Sequence, residues 1–148
     1  WFYTGDLAKI DRDGFIFICG RKKSVIVLKN GKNIFPEEME HIINKIEGVE
    51  ESFIYGRQMS EDKNDIKIFA KIVYHPETMK EAYQVNSKQE MKQILKEKVK
   101  EINKTMPIYK AIKGSIFTTE PLIKTTTNKL KRQANLEQIL KEEKNNIE

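Results

Sequence analysis

Cysteine occurs once in the 148 residues, at Cys19. A lone thiol closes no internal disulfide, which suits a reducing cytoplasm. With only His41 and His75 beside it, no metal-ligand spacing is present, so no metal is expected on this chain. Glycine and proline are few, seven and four. The glycines form neither a Gly-x-Gly-x-x-Gly turn nor a Walker-type phosphate loop. No apolar run approaches the roughly 18 residues of a membrane helix. No charged-then-apolar leader is visible, so nothing argues for export. Aromatic residues sit in strand-like segments rather than between lysines, so stacking platforms for nucleic acid are missing. There are no internal repeats. The chain opens at Trp1 instead of methionine, and is expected to be a piece of something longer.

What is present fits one compact domain with a small appendage. Hydrophobic residues make up 39% of the chain, enough for a modest core. Twenty-seven basic residues against 22 acidic ones leave a net charge of +5. That bias suits anionic ligands such as nucleotides, coenzyme A or lipid headgroups, and does not diagnose nucleic acid.

The segment from Asp6 to Gly20 reads as a hairpin, with Asp13-Gly14 supplying the turn. Val25 to Leu28 reads as a short strand and Lys29 to Lys32 as a turn. Pro36 opens a helix whose early Glu37, Glu38 and Glu40 favour the positive end of its dipole. Met39, Ile42, Ile43 and Ile46 recur at helical spacing and are expected in the core, with Gly48 ending the helix. Val49 to Gly56 and Ile66 to His75 read as strands. Ser87 and Glu90 match a capping box for a helix carrying Met91, Ile94, Leu95, Val99 and Ile102, closed by Met106-Pro107. Ala111 to Thr118 reads as a third strand. The tail turns helical from about Lys129, with Leu136, Ile139 and Leu140 on one side. The fold class is α+β: an N-terminal β-hairpin, then a small, about three-stranded sheet with helices packed on it.

Three segments are not needed for such a fold. In YTGDL, Gly5 permits a sharp turn before Asp6, and a carboxylate so placed can accept both hydroxyls of a ribose. In GRKKSVIVLKNGKNIFPEEME, Arg21 is suited to bidentate contacts with phosphate or ribose oxygens. Gly31 presents bare backbone where a ligand could pass close. In KTTTNKLKR, Lys129 is a compact charge on a flexible stem, able to stabilise a phosphoryl transition state, with the hydroxyls of Thr125 to Thr127 to hold its loop. Each segment taken alone also reads as ordinary surface: a turn, a loop, a solvated basic tail.

In this order and at these separations the three segments resemble the adenylate-forming (AMP-binding) enzymes. The stretch WFYTGDLAKIDRDGFIFICGRKKSVIVLKNGKNIFPEEME carries most of the resemblance, and the long-chain fatty-acid CoA ligase branch is the nearest. The resemblance implies a small mobile C-terminal domain whose large N-terminal partner is absent. Residues 1–22 would be the boundary region and linking hairpin, and 23–148 the lid. The implied reaction runs in two halves. A carboxylate attacks the α-phosphorus of ATP and pyrophosphate leaves; then the thiol of coenzyme A displaces AMP. Asp6 and Arg21 would contact the nucleotide, Lys23 would be the hinge, Gly31 would line the pantetheine channel, Glu38 would support that loop, and Lys129 would be catalytic. ATP and Mg²⁺ would be bound mainly by the N-terminal domain. One departure is Asn128, where the family commonly has glycine; asparagine tolerates the left-handed conformation better than most residues. Lys124, Lys131 and Arg132 are expected to be solvated or near the phosphates of coenzyme A.

Two alternatives stay open. The adenylate could pass to a carrier protein, as in fatty acyl-AMP ligases and peptide-synthetase adenylation domains. The chain could instead be a basic module for nucleic acid or anionic membranes. The parent is expected in the cytoplasm, and fatty-acid substrates would favour loose peripheral association at a membrane.

Overall fold

The computed structural model describes residues 3–145. The hairpin pairs β1 (Asp6–Ile10) with β2 (Ile16–Arg21), antiparallel, and sets Asp6 opposite Arg21. Its turn is closed by Asp11, whose Oδ1 accepts from the N–H groups of Asp13 and Phe15, both at 2.9 Å. Gly14 takes the positive φ of 87° that the turn demands. Only Cys19 and Gly20 of β2 are buried.

A single turn of 3-10 helix, Lys22–Ser24, joins the hairpin to the main body. There β3 (Ile26–Val27) pairs with β4 (Asn33–Ile34), so the expected strand over Val25 to Leu28 shrinks to two residues. Helix α1 (Pro36–Ile43) follows, with proline at its first position. It is shorter than its apolar spacing predicts. It stops at Ile43, and Gly48 instead occupies a later turn with φ 90°. Met39 and Ile43 enter the core, Ile46 packs at its margin, and Ile42 faces out, 40% exposed. Ile42 lies next to Ile43 on the helix, so about 100° of rotation carries it off the buried stripe.

Three strands form the central sheet: β5 (Val49–Gln58), β6 (Ile66–Tyr74) and β7 (Ile112–Thr118), in that spatial order. β5 and β6 are antiparallel, while β6 and β7 are parallel. The parallel step needs a crossover, supplied by α2 (Pro76–Tyr83) and α3 (Lys88–Thr105). The capping box of α3 is fully formed: Ser87 Oγ accepts from the Glu90 N–H, and the Glu90 carboxylate accepts from the Ser87 N–H. The period-2 alternation of the strands divides the core. Ile54, Ile68, Ala70 and Ile72 face Met39 and Ile43 of α1 and Val99 of α3. Phe53, Tyr55 and Val73 face Leu122 and Ile139. Ile139 belongs to α4 (Arg132–Asn145), which starts three residues after Lys129 and buries only Asn135 and Ile139. Leu140, expected beside Ile139, is 44% exposed, for the same reason as Ile42.

The result is the expected α+β arrangement: a hairpin, then a three-stranded sheet with helices on both faces. No helix among the described residues is long and apolar enough to cross a membrane.

Candidate functional site

At the hairpin root, Arg21 Nε lies 3.6 Å from Asp6 Oδ1, and both side chains remain open to solvent. Gly5 has φ 76°, and its carbonyl accepts from the Lys22 N–H at 2.8 Å. The two candidate nucleotide-binding residues are therefore cross-strand neighbours on a fixed turn. Such a pair can offer acceptors to ribose hydroxyls and donors to ring or phosphate oxygens at once. Lys23 is exposed in the 3-10 turn directly after it.

Gly31 closes the turn between β3 and β4, donating to the Leu28 carbonyl at 2.8 Å with φ 77°. A Cβ placed there would meet nothing within 4 Å. Inside this domain the positive φ alone calls for glycine, and the surface beside it is open to another molecule. The turn borders a cleft of about 390 Å³ lined by Leu28, Lys29, Asn30, Tyr109 and Lys113. Lys32 sits on the face of Tyr109, 4.1 Å from the ring centroid. Glu38, on the first turn of α1, reaches Lys110 Nζ at 3.7 Å, one residue beyond Tyr109. It thus ties α1 to the segment that carries that aromatic.

Lys129 stands at the end of a small closed loop. The Thr125 N–H donates to the Lys129 carbonyl at 2.7 Å, and Thr125 Oγ1 accepts from the Lys129 N–H at 3.0 Å. Thr127 Oγ1 lies 3.0 Å from Thr125 Oγ1. Asn128 adopts the left-handed conformation, φ 63°, a region that glycine enters without steric cost and asparagine tolerates. The loop's two limbs are bridged by Lys124 and Leu130. The Lys129 side chain is exposed and has no ion pair among the described residues.

Two of its basic neighbours behave otherwise, and for these the sequence expectation is corrected, whereas Lys131 is exposed and without an ion pair among the described residues. Lys124 is paired with Glu51 of β5, whose other carboxylate oxygen accepts from the Leu122 N–H at 2.7 Å. Arg132 makes a two-pronged contact with Glu40 of α1, at 2.7 and 2.8 Å. Burial alone would lower the Arg132 pKa. The hydrogen bonds and charge of Glu40, with the charge of Glu37, outweigh that and leave it raised. Neither side chain is a solvated charge; both carboxylate partners lie far away in sequence. Asn135, fully buried, completes the anchorage by exchanging two hydrogen bonds with the Ile123 backbone, both at 3.0 Å. Sequence reading missed Glu40, Glu51 and Asn135. Glu40 did carry a signal, because an acid between Met39 and Ile43 on the inward stripe of a helix calls for a buried partner.

The first turn of helix α1 lies against the neighbours of two predicted segments, Gly20 of the hairpin and Arg132 after the Lys129 loop. A Cβ on Gly20, beside Arg21, would lie 2.7 Å from Glu37 Oε2, and Glu37 Oε1 is 3.7 Å from Arg132. The hairpin root and the root of the Lys129 loop therefore meet at one glutamate. A smaller cleft, about 160 Å³, is lined by both Lys23 and Arg132. The larger cavity between α3 and β7, about 570 Å³, contains none of the predicted residues. No described hydrogen bond or ion pair joins Lys129 to Asp6, Arg21 or Glu38. The described residues include no group of three or more His, Cys, Asp or Glu side chains that could hold a metal ion.

Residues 23–145 match the family model of the AMP-binding enzyme C-terminal domain. A 2-succinylbenzoate–CoA ligase from Listeria monocytogenes is 42% identical over 57 residues, 38% of this chain and 12% of that protein. Fatty acyl-CoA synthetase B from Dictyostelium discoideum is 38% identical over 81 residues, 55% of this chain and 11% of that protein. The chain thus spans only about an eighth of the length of these relatives. Among solved structures, the O-succinylbenzoate coenzyme A synthetase of Bacillus subtilis, in complex with ATP and magnesium ion, superposes with a TM-score of 0.66. It is 25% identical and covers 92% of this chain, which covers 24% of it. By sequence and by fold, this chain belongs to the AMP-binding enzyme C-terminal domains, the C-terminal domains of the adenylate-forming ligases.

Proposed function

We propose that the chain is the lid of a long-chain fatty-acid CoA ligase, with residues 1–22 as linking hairpin and 23–148 as the mobile domain. The full enzyme would activate a fatty acid with ATP to the acyl-adenylate, releasing pyrophosphate, and transfer the acyl group to coenzyme A, releasing AMP. The observation that carries this reading is Lys129: an exposed ammonium, without an ion pair among the described residues, on a loop whose backbone is locked at both limbs while Lys124 and Arg132 on either side are taken up in ion pairs.

A lysine so presented can reach into a cleft on another domain. There it would bridge the incoming carboxylate and the α-phosphate, orienting both and stabilising charge as pyrophosphate departs. Asp6 would accept the ribose hydroxyls, and Arg21 would donate to the nucleotide. Lys23 would absorb the rotation between the two half-reactions, since a hinge is a position that takes up backbone change. After rotation the open backbone at Gly31 would line the pantetheine path, supported through Glu38 and Lys110. Mg²⁺ and most of the ATP contacts would belong to the large domain. The lone thiol supports a cytoplasmic enzyme, with loose peripheral association at a membrane.

The preference for fatty acids rests on the longer reach of the fatty acyl relative, 81 residues against 57. The higher identity of the succinylbenzoate relative favours a second reading, an aromatic acid as substrate. The test is acid-dependent ATP–pyrophosphate exchange by the full-length enzyme over long-chain, short-chain and aromatic acids, followed by coenzyme A and carrier protein as acceptors. Exchange with long-chain acids and thioester on coenzyme A is expected. Exchange confined to aromatic acids, or transfer only to a carrier protein, would overturn the specific assignment. The isolated chain is expected to give no exchange with any acid.

A further inference from the structure

Helix α4 buries only Asn135, at its first turn, and Ile139. Leu130 and Leu136 flank that turn and pack, partly buried, against the cluster of Phe53, Tyr55 and Ile139. The orientation of the turn, and of the loop ending at Lys129, is further set by polar bonds. The strongest of these is the Arg132 fork on Glu40, at 2.7 and 2.8 Å. Glu40 is itself immobilised: it is 8% exposed, and its Oε1 also accepts from the Ile54 N–H at 2.9 Å. One carboxylate therefore joins α1, the edge strand β5 and the root of α4. Arg132 is three residues from Lys129, and Lys131 between them donates its N–H to the Ile123 carbonyl at 3.0 Å. Few rotatable bonds separate the buried fork from the backbone of Lys129.

We propose that Glu40 and Arg132 act as a positioning pair for Lys129, fixing the backbone from which its ammonium reaches the reacting phosphate. This rests on the reading of Lys129 as the adenylating lysine. Neither member of the pair need touch substrate. The planar fork matters because it fixes orientation as well as distance; a lysine at 132 would keep the charge and lose the geometry. Displacing a reacting group by about 1 Å can cost on the order of a hundredfold in rate. The thioester-forming half-reaction, which presents another face of the lid, makes no use of Lys129 and would be spared.

The experiment uses the full-length enzyme as wild type, Arg132→Lys, Glu40→Gln and Lys129→Ala. Adenylation is followed by pyrophosphate release, and thioester formation by turnover of supplied acyl-adenylate with coenzyme A. Arg132→Lys and Glu40→Gln are each expected to lower kcat for adenylation by roughly 10- to 100-fold. KM for ATP and acid, and the thioester rate, should stay at wild-type values. A variant that merely loosens the fold would lower both half-reactions together, and that result overturns the proposal, as does wild-type adenylation in both variants. If one variant fails to fold, the other decides. Lys129→Ala separates the two levels: if it adenylates normally, the assignment of Lys129 fails on its own account, whatever the pair does.

Discussion

Asn128 decides the shape of the Lys129 loop. Its φ of 63° lies where side-chain sterics cost most residues about 1–2 kcal/mol, and asparagine is among the few that tolerate it. Asn128→Gly should therefore leave the unfolding free energy unchanged within error. Asn128→Val should lower it by about 1–2 kcal/mol, because a β-branched side chain suits that region worst; urea titration of the two variants checks the difference. Equal stability would mean that the loop is not held in the left-handed form. At this scale the sequence was legible where chemistry is local. The hydroxyl run, the asparagine and the lysine lie within five residues and state their own geometry. Arg132 was not legible, since Glu40 is 92 residues away and a basic run looks the same whether solvated or paired.

Among the elements, α3 was the easiest to read, because Ser87, Glu90 and the stripe from Met91 to Ile102 act within one helix. The Ser87 hydrogen bonds, backbone first and hydroxyl second, hold the Glu90 carboxyl below its ordinary value. A depressed folded-state pKa contributes stability that is present above the unfolded-state value and lost as pH falls through the folded one. Ser87→Ala is expected to cost about 1 kcal/mol near neutral pH, and the gap from wild type should narrow as acid protonates Glu90. Thermal unfolding of both proteins across that acid range tests it; a gap that widens would contradict the capping role. Helix α2 was missed at the sequence level, for a physical reason. It buries only Met79, so no apolar periodicity marks it, and its start is set by Pro76 and the His75 side chain. The length of α1 was misread because Ile46 packs on the core from the turn after the helix, continuing an apolar rhythm without continuing the helix.

For the whole molecule, the three sheet strands and helices α1, α3 and α4 followed from period and caps, but the use of the surface did not. The hairpin leaves Ile10, Phe15, Ile16, Phe17 and Ile18 more than half exposed. Successive strand residues point to opposite sides, so the hairpin is apolar and open on both of them. Lys110, Lys124 and Arg132 are taken up in ion pairs with Glu38, Glu51 and Glu40, and because each pair uses one charge of either sign the net excess is left to the other surface cations. Lys129 and Lys131 stay exposed and without an ion pair among the described residues, and of the two Lys129 is the one held at the end of the hydroxyl loop. The most direct measurement compares full-length wild type and Lys129→Ala in the two half-reactions separately. The account predicts that the variant loses adenylate formation and still converts supplied acyl-adenylate to acyl-CoA at the wild-type rate. Retention of both half-reactions would show that Lys129 is part of a solvated tail, and would contradict the account at its centre.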